Sequence, residues 1–253
     1  MTETARFASL RRWNVGVGTA HLVQAIVILL IANDFSIPVR ALVQDGPPGT
    51  DLTIDKTFFD LRFSVAIAAF LLLAAIDHLL MAAPGVVGWY ERNLSRGINP
   101  ARWAEYSISA SLMIVLIAML PGVTNLYALI GLFAVNASMI LFGWLMERIN
   151  GPDGEVNWWP FAFGCLAGIV PWVIISIALV TSQGEGDGVP GFVYGIFVSL
   201  FLLFNCFALN QWLQYRRRGR FADYLYGEKV YLVLSLVAKS ALAWQVYAGT
   251  LAD

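Results

Sequence analysis

Seven stretches of about twenty mostly apolar residues, each long enough to cross the ~30 Å hydrocarbon core of a bilayer, constrain this chain more than any other feature. They fall near residues 13–32, 61–83, 101–120, 124–147, 159–181, 191–214 and 229–250. In lipid each segment must satisfy its own backbone N–H and C=O groups. The runs therefore predict an all-α fold, a seven-transmembrane helix bundle. With 58% of its 253 residues hydrophobic and only 13% charged, the chain is too apolar for a water-soluble domain. The net charge of −1 offers no basic field for nucleic acid. No linker or low-complexity tract divides the chain, which reads as one membrane domain over 1–253. No small-residue cleavage site follows the first run, so it reads as a retained span. Cys165 and Cys206 lie inside apolar runs and read as small core residues.

Charge sets the orientation, because Lys and Arg collect on the cytoplasmic side. Taking ends and loops alternately, one side holds Arg6, Arg11, Arg12, Arg92, Arg96, Arg102, Arg148, Arg216, Arg217, Arg218, Arg220 and Lys229. The other holds Arg40, Lys56 and Arg62 among the acids Asp34, Asp45, Asp51, Asp55, Asp60, Glu185 and Asp187. This asymmetry predicts a cytoplasmic N-terminus and an outer C-terminus. The long loop between the first two runs alternates apolar residues around Gly46-Pro-Pro-Gly49, which predicts a small extracellular β-hairpin. It reads either as a structured lid or as a dimer contact. Asn99-Pro100 is a plausible start for the third helix, and Pro121-Gly-Val-Thr-Asn125 makes the third and fourth antiparallel neighbours.

The last run carries Lys239 near its middle. An ionisable residue at the centre of a membrane helix costs about 2.5–3.5 kcal/mol on insertion scales and needs a partner or a function. A lysine can pair with a carboxylate for packing, or form a Schiff base with a carbonyl ligand. Counting 1.5 Å per residue from the inner surface puts Lys239 roughly 15 Å deep and Glu105 roughly 8 Å deep. Asp77 and Glu147 lie nearer the inner ends of their helices, so Glu105 is the carboxylate best placed to hold a charged Lys239. Its local alternative is Arg102, three residues earlier.

More polar residues fall in the same inner half: His21 and Gln24 in the first helix, His78 in the second, Ser109 one turn beyond Glu105, and Ser235 one turn before Lys239. Together they could line a wet pocket in which the histidines hold or accept a proton; alternatively they are hydrogen-bonded packing residues. Two histidines on different helices, without nearby Cys or Asp at ligand spacing, imply no metal. Toward the outer half lie Asn136, Ser138 and Asn205, with no carboxylate. Near the depth of Lys239 come Trp172, Phe204, Trp244, Met139 and Gly143, enough aromatic surface for a long conjugated ligand, with Gly143 leaving room. Without the lysine they would read as core or interface belt.

Seven helices with a lysine midway along the last resemble the microbial-type rhodopsins, and Arg102-Trp-Ala-Glu105 resembles their third-helix Arg-x-x-acid motif. The closer resemblance is to the heliorhodopsins. It rests on Gly46-Pro-Pro-Gly-Thr50, Arg102-Trp-Ala-Glu-Tyr-Ser107, Val135-Asn-Ala-Ser-Met-Ile-Leu-Phe-Gly-Trp144, Gly168-Ile-Val-Pro-Trp172, Val189-Pro-Gly-Phe-Val-Tyr-Gly195 and Leu234-Ser-Leu-Val-Ala-Lys-Ser-Ala-Leu-Ala-Trp-Gln245. The inverted topology read from loop charge is also a trait of that family. The resemblance implies retinal, all-trans in the dark, bound covalently to Lys239 as a protonated Schiff base, with Glu105 as counterion and His21 and His78 in an inner polar cavity. It further implies a homodimer. Light-driven pumps carry a second acid one turn before the lysine, where this chain has Ser235, and a proton-donor acid where it has Leu116.

The expectation is a light-sensing photoreceptor in the lipid bilayer, not an enzyme, in which a proton moves within a cytoplasmic-side cavity without net pumping. The inner loop with Arg216, Arg217, Arg218 and Arg220 could meet a cytoplasmic signalling partner, or simply anchor the topology. The alternatives are a light-gated or light-driven ion transporter, and a retinal-free protein whose lysine is only salt-bridged.

Overall fold

The structure, a computed structural model, describes residues 3–50, 53–151, 154–183 and 188–252. Asp51, Glu185 and Asp187, counted above among the outer acids, lie outside the described residues. Among the described residues, eight α-helices and one hairpin follow in the order α1 (Glu3–Ile31), β1 (Ser36–Gln44), β2 (Thr53–Arg62), α2 (Phe63–Ala82), α3 (Val87–Leu94), α4 (Pro100–Met119), α5 (Leu126–Ile149), α6 (Trp159–Thr181), α7 (Gly191–Tyr215) and α8 (Tyr224–Val246). Among the described residues, seven of these helices are long and apolar enough to span a bilayer, all but the short α3, and the chain is a multi-pass membrane protein.

The helix starts are written in the sequence. The Asn99 side chain accepts a hydrogen bond from the Arg102 N–H with Pro100 in the first turn, Asn125 accepts from the N–H groups of Tyr127 and Ala128, and Asp223 accepts from that of Leu225. Two boundaries differ from the hydrophobic runs. Helix α1 begins at Glu3, well before the apolar run near 13, because the polar, Arg-bearing turns that precede that run are helical as well. Helix α8 begins at Tyr224, where Asp223 caps it, and so includes Glu228. The short α3 was not expected from the hydropathy.

The two strands pair antiparallel from Ser36–Arg62 to Gln44–Thr53, with an irregularity at Val39/Arg40. Val39 and Ala41 on β1 are buried against the bundle, and the Arg40 N–H donates to the Thr124 carbonyl at 2.9 Å, which ties the hairpin to the α4–α5 turn. Strand β2 stays in solvent and presents Ile54, Phe58 and Phe59. A large apolar cluster fills the hairpin end of the bundle, with Ile28, Phe63, Phe70, Met113, Leu116, Leu242 and Val246 in its centre. A smaller one around Leu10, Met81, Tyr90 and Leu232 closes the opposite end. Lys239, Glu105, Ser109, Ser235, His21 and His78 are buried between the two.

Helix α1 packs on α2 and α8, α2 on α4, α4 on α5, α5 on α6, and α7 on α8. Helices α6 and α7 meet through aromatic side chains: the Trp172 ring stands edge-on to Phe197, Phe201 and Phe204 at centroid distances of 5.7, 5.3 and 5.5 Å.

Candidate functional site

Lys239 lies on the inward face of α8 and is 3% exposed. Its Nζ donates to the Ser235 hydroxyl one turn earlier at 3.1 Å and to Glu105 Oε2 on α4 at 3.4 Å. Glu105 Oε1 is also 3.4 Å from Nζ, but it accepts no hydrogen bond of acceptable geometry. Charge-assisted N–H···O bonds are normally 2.7–2.9 Å, so this ion pair is loose. The ring of Tyr106 closes one side, its centroid 4.8 Å from Nζ.

Around the amine several buried polar atoms have no hydrogen-bond partner among the described residues: Glu105 Oε1, Ser109 Oγ, both ring nitrogens of His21, and His78 Nε2. Each such atom costs about 1–3 kcal/mol unless something supplies the missing bond, so the cluster marks a place built to hold water or ligand atoms. His21 on α1 stacks on His78 on α2, centroids 5.9 Å apart and 10° from parallel. His78 Nδ1 is 3.0 Å from Asn14 Oδ1, and Asn14 Nδ2 donates to the Tyr90 hydroxyl at 3.4 Å.

Arg102 does not pair with Glu105. Its guanidinium is buried between Glu147 on α5 and Glu228 on α8, with an ion pair to each. It also faces the Tyr231 ring at 3.8 Å and the Trp103 ring at 4.5 Å. Asn99 contributes its N–H to Glu147 and its side-chain amide to Glu228, Trp103 Nε1 donates to Glu147 at 2.6 Å, and the Tyr224 hydroxyl donates to Glu147 at 3.1 Å. Glu228 was not singled out in the sequence, and Arg102 and Glu147 were not expected to meet. The available signal was that an arginine inside a span needs carboxylates.

A cavity of about 420 Å³ opens among α5, α6 and α7, bordered also by Trp103 of α4. Five residues expected to wall a ligand line it: Met139, Gly143, Trp172, Phe204 and Asn205. A Cβ on Gly143 would run into the Trp103 indole, and one on Gly168 would run into the Met139 sulfur, so both glycines keep aromatic and thioether surfaces in place. Phe207, another lining residue, packs edge-on to Tyr106 at 5.5 Å. One aromatic layer thus separates the cavity from Lys239. The volume and apolar lining suit a ligand of modest size, and with a buried amine beyond that layer these residues fit a long apolar aldehyde such as retinal.

Three expected site residues lie elsewhere. Trp244, five residues past Lys239, is turned about 140° away from it on the helix and is 37% exposed. Its indole Nε1 donates to Gln24 Oε1 at 2.9 Å, so Gln24 faces α8 at the bundle surface, apart from His21. Asn136 donates to the Ser111 hydroxyl at 3.0 Å in the core, outside the cavity lining. The reading of both cysteines as core residues is corrected: Cys165 is exposed and lines the cavity, and Cys206 is half-buried.

The fold is that of the rhodopsins, retinal-binding seven-helix membrane proteins. It is similar to the transmembrane domain of a rhodopsin phosphodiesterase from Salpingoeca rosetta, with a TM-score of 0.66, 16% identity, and 96% of this chain and 85% of that one covered. The form of that domain carrying its linker gives a TM-score of 0.68 at 15% identity over 96% of this chain and 72% of that one. A light-driven proton pump from Leptosphaeria maculans matches with a TM-score of 0.65 and 14% identity over 95% of both chains. At such identities these likenesses speak for the fold alone. The chain belongs to the heliorhodopsin family, whose model matches residues 10–251. The family implies a retinal chromophore. No curated protein matches the chain in sequence.

Proposed function

We propose that this protein is a light-sensing photoreceptor whose Lys239 carries all-trans retinal in the dark as a protonated Schiff base, with Glu105 as counterion. The observation that supports it most is the loose, buried Lys239–Glu105 pair among orphaned polar atoms, one aromatic layer from the cavity. Bound retinal supplies absorption of visible light and an isomerisation that changes the surroundings of Nζ. The chain's own groups do the rest. Glu105 holds the positive charge on Nζ, Ser235 orients the amine, and Trp172, Phe204 and Met139 keep water from the apolar side. His21 and His78, with orphaned ring nitrogens, receive the proton that leaves Nζ. The N-terminus and the α7–α8 connection face the cytoplasm in this reading, and the proton returns from that side, so nothing is pumped. The arginines of the α7–α8 connection would present the resulting shift to a cytoplasmic partner. The exposed Leu42, Ile54, Phe58 and Phe59 of the hairpin favour a homodimer contact.

Addition of all-trans retinal to the purified apoprotein is the test. A visible absorption band that Lys239→Ala abolishes is the expected result; no band, or one that survives Lys239→Ala, overturns the reading. A sustained photocurrent across a membrane holding the pigment would replace the sensor with an ion transporter.

A further inference from the structure

We propose that the Glu147–Arg102–Glu228 cluster is a second proton-binding site, that Glu228 is the member that takes the proton, and that one water links it to His78. The inference rests on the photoreceptor reading for its source of protons, and on the following geometry for its site.

Two carboxylates share one guanidinium in a dry place: Glu147, Glu228 and Arg102 are 3%, 2% and 4% exposed. With both acids ionised the cluster carries one uncompensated negative charge, which a buried site tolerates poorly. The two acids are not equivalent. Glu147 accepts four hydrogen bonds, Oε1 from Arg102 and the Tyr224 hydroxyl, Oε2 from the Asn99 N–H and the Trp103 indole. Its oxygens meet a donor at every side, so a proton placed there would displace one of those donors. Among the described residues Glu228 accepts two, Oε1 from Arg102 and Oε2 from the Asn99 amide. A proton added to Glu228 leaves Arg102 and Glu147 as a balanced pair.

A cavity of about 10 Å³ lies against this acid, room for a single water, and its wall includes His78, Arg102, Glu228 and Tyr231. Among the described residues, His78 Nε2, Arg102 Nε and the Tyr231 hydroxyl have no hydrogen-bond partner. These are the partners a bound water needs. Since Asn14 Oδ1 accepts from His78 Nδ1, the neutral ring presents Nε2 as an acceptor. A proton arriving on the histidine pair can therefore pass from Nε2 through the water to Glu228. One N–H bond at Nζ is broken and one O–H bond on Glu228 is made; the positive charge lost at one and the negative charge lost at the other cancel. The other charged or titratable groups around the cavity are Asp77 and His78 from α2, Tyr90 from α3, Arg102 and Tyr106 from α4, and Tyr231 of α8 itself, with Glu147 of α5 across Arg102. Asp77 is the competitor.

Infrared titration of the full-length protein in lipid nanodiscs without retinal tests the site by itself. Acidification is expected to raise a buried carboxylic C=O band that Glu228→Gln removes, that Glu228→Asp retains at a shifted frequency, and that Glu147→Gln and Asp77→Asn leave in place. A band that persists in Glu228→Gln, that disappears in Asp77→Asn, or that never forms overturns the proposal. In the retinal-loaded protein, Glu228→Gln is expected to keep the visible band and to slow proton return after a flash by on the order of tenfold. An unchanged return rate also overturns it. Failure of the wild type to form a pigment would instead defeat the photoreceptor reading, and the retinal-free titration would still decide the fate of Glu228.

Discussion

Replacing Arg102 by Met should be among the most destabilising single changes in the bundle. The guanidinium has ion pairs to Glu147 and Glu228 and stacks on Tyr231 at 3.8 Å, and the two acids it serves are 3% and 2% exposed. Removing one partner of a buried ion pair costs about 3–5 kcal/mol, because the remaining charge is left without compensation. Here two carboxylates are left, and the cation–π contact adds about 0.5–2 kcal/mol, so a loss of about 5 kcal/mol is expected. At about 2–4 °C per kcal/mol for a domain of this size, the melting temperature falls by about 10–20 °C. Circular dichroism melting of the retinal-free protein in nanodiscs measures this directly. The triple variant Arg102→Met, Glu147→Gln, Glu228→Gln removes all three charges together and should recover most of the loss. If Arg102→Met melts within a few degrees of wild type, or the triple variant is no more stable than the single one, the buried charges do not balance one another as described.

Glu105→Gln should move the visible band of the pigment to the red, because the negative charge that stabilises Nζ in the dark is gone; an absorption spectrum with an unmoved band would retire Glu105 as counterion. Gly143→Val should cut pigment yield, since a side chain there runs into the Trp103 indole, whereas Gly131→Val, with nothing within 4 Å of its Cβ, should leave the yield unchanged. Equal yields from the two would mean that the cavity is not the chromophore wall. Trp244→Phe should leave the band where it is, because Trp244 is bonded to Gln24 at the bundle surface. A shift of the band would place that indole against the chromophore after all.

What could be read in the chain was whatever depends on length and depth. The spans follow from runs matched to bilayer thickness, the hairpin from alternation around Gly46-Pro-Pro-Gly49, and the approach of Glu105 to Lys239 from counting 1.5 Å per residue along two helices that run in the same direction. What escaped depends on azimuth and on side-chain direction. Trp244 shares the depth of the lysine but points about 140° away, toward α1. Gln24 follows His21 by one turn, yet its amide meets Trp244 while the His21 ring turns inward onto His78. Arg102 and Glu105 are neighbours on paper. Helical side chains lean toward the N-terminal end, and the long arginine accordingly reaches back past the start of α4 to Glu147 and Glu228, leaving Glu105 to the lysine. Glu228 itself fell outside the last apolar run, because a carboxylate lowers the very hydropathy by which the run is recognised.

That distribution bears on the direction of proton movement. Among the described residues, the buried histidines, carboxylates and cations are His21, His78, Arg102, Glu105, Glu147, Glu228 and Lys239. From Lys239 toward the hairpin the buried lining becomes Leu242, Ala243 and Val246 on α8, Met113 and Leu116 on α4, and Ile67 and Phe63 on α2. A charge moving through that layer would lose its solvation with no group to receive it, whereas the opposite direction offers imidazole nitrogens, the water-sized cavity and Glu228 in succession. Under the proposed function, a proton leaving Nζ would therefore go to and return from the same face. This asymmetry supports reversible transfer over transport, and the proposed protonation of Glu228 would alter the charge balance around Arg102, which holds together the starts of α4 and α8 and the end of α5. Those helix ends flank the connections that a partner at that face would touch.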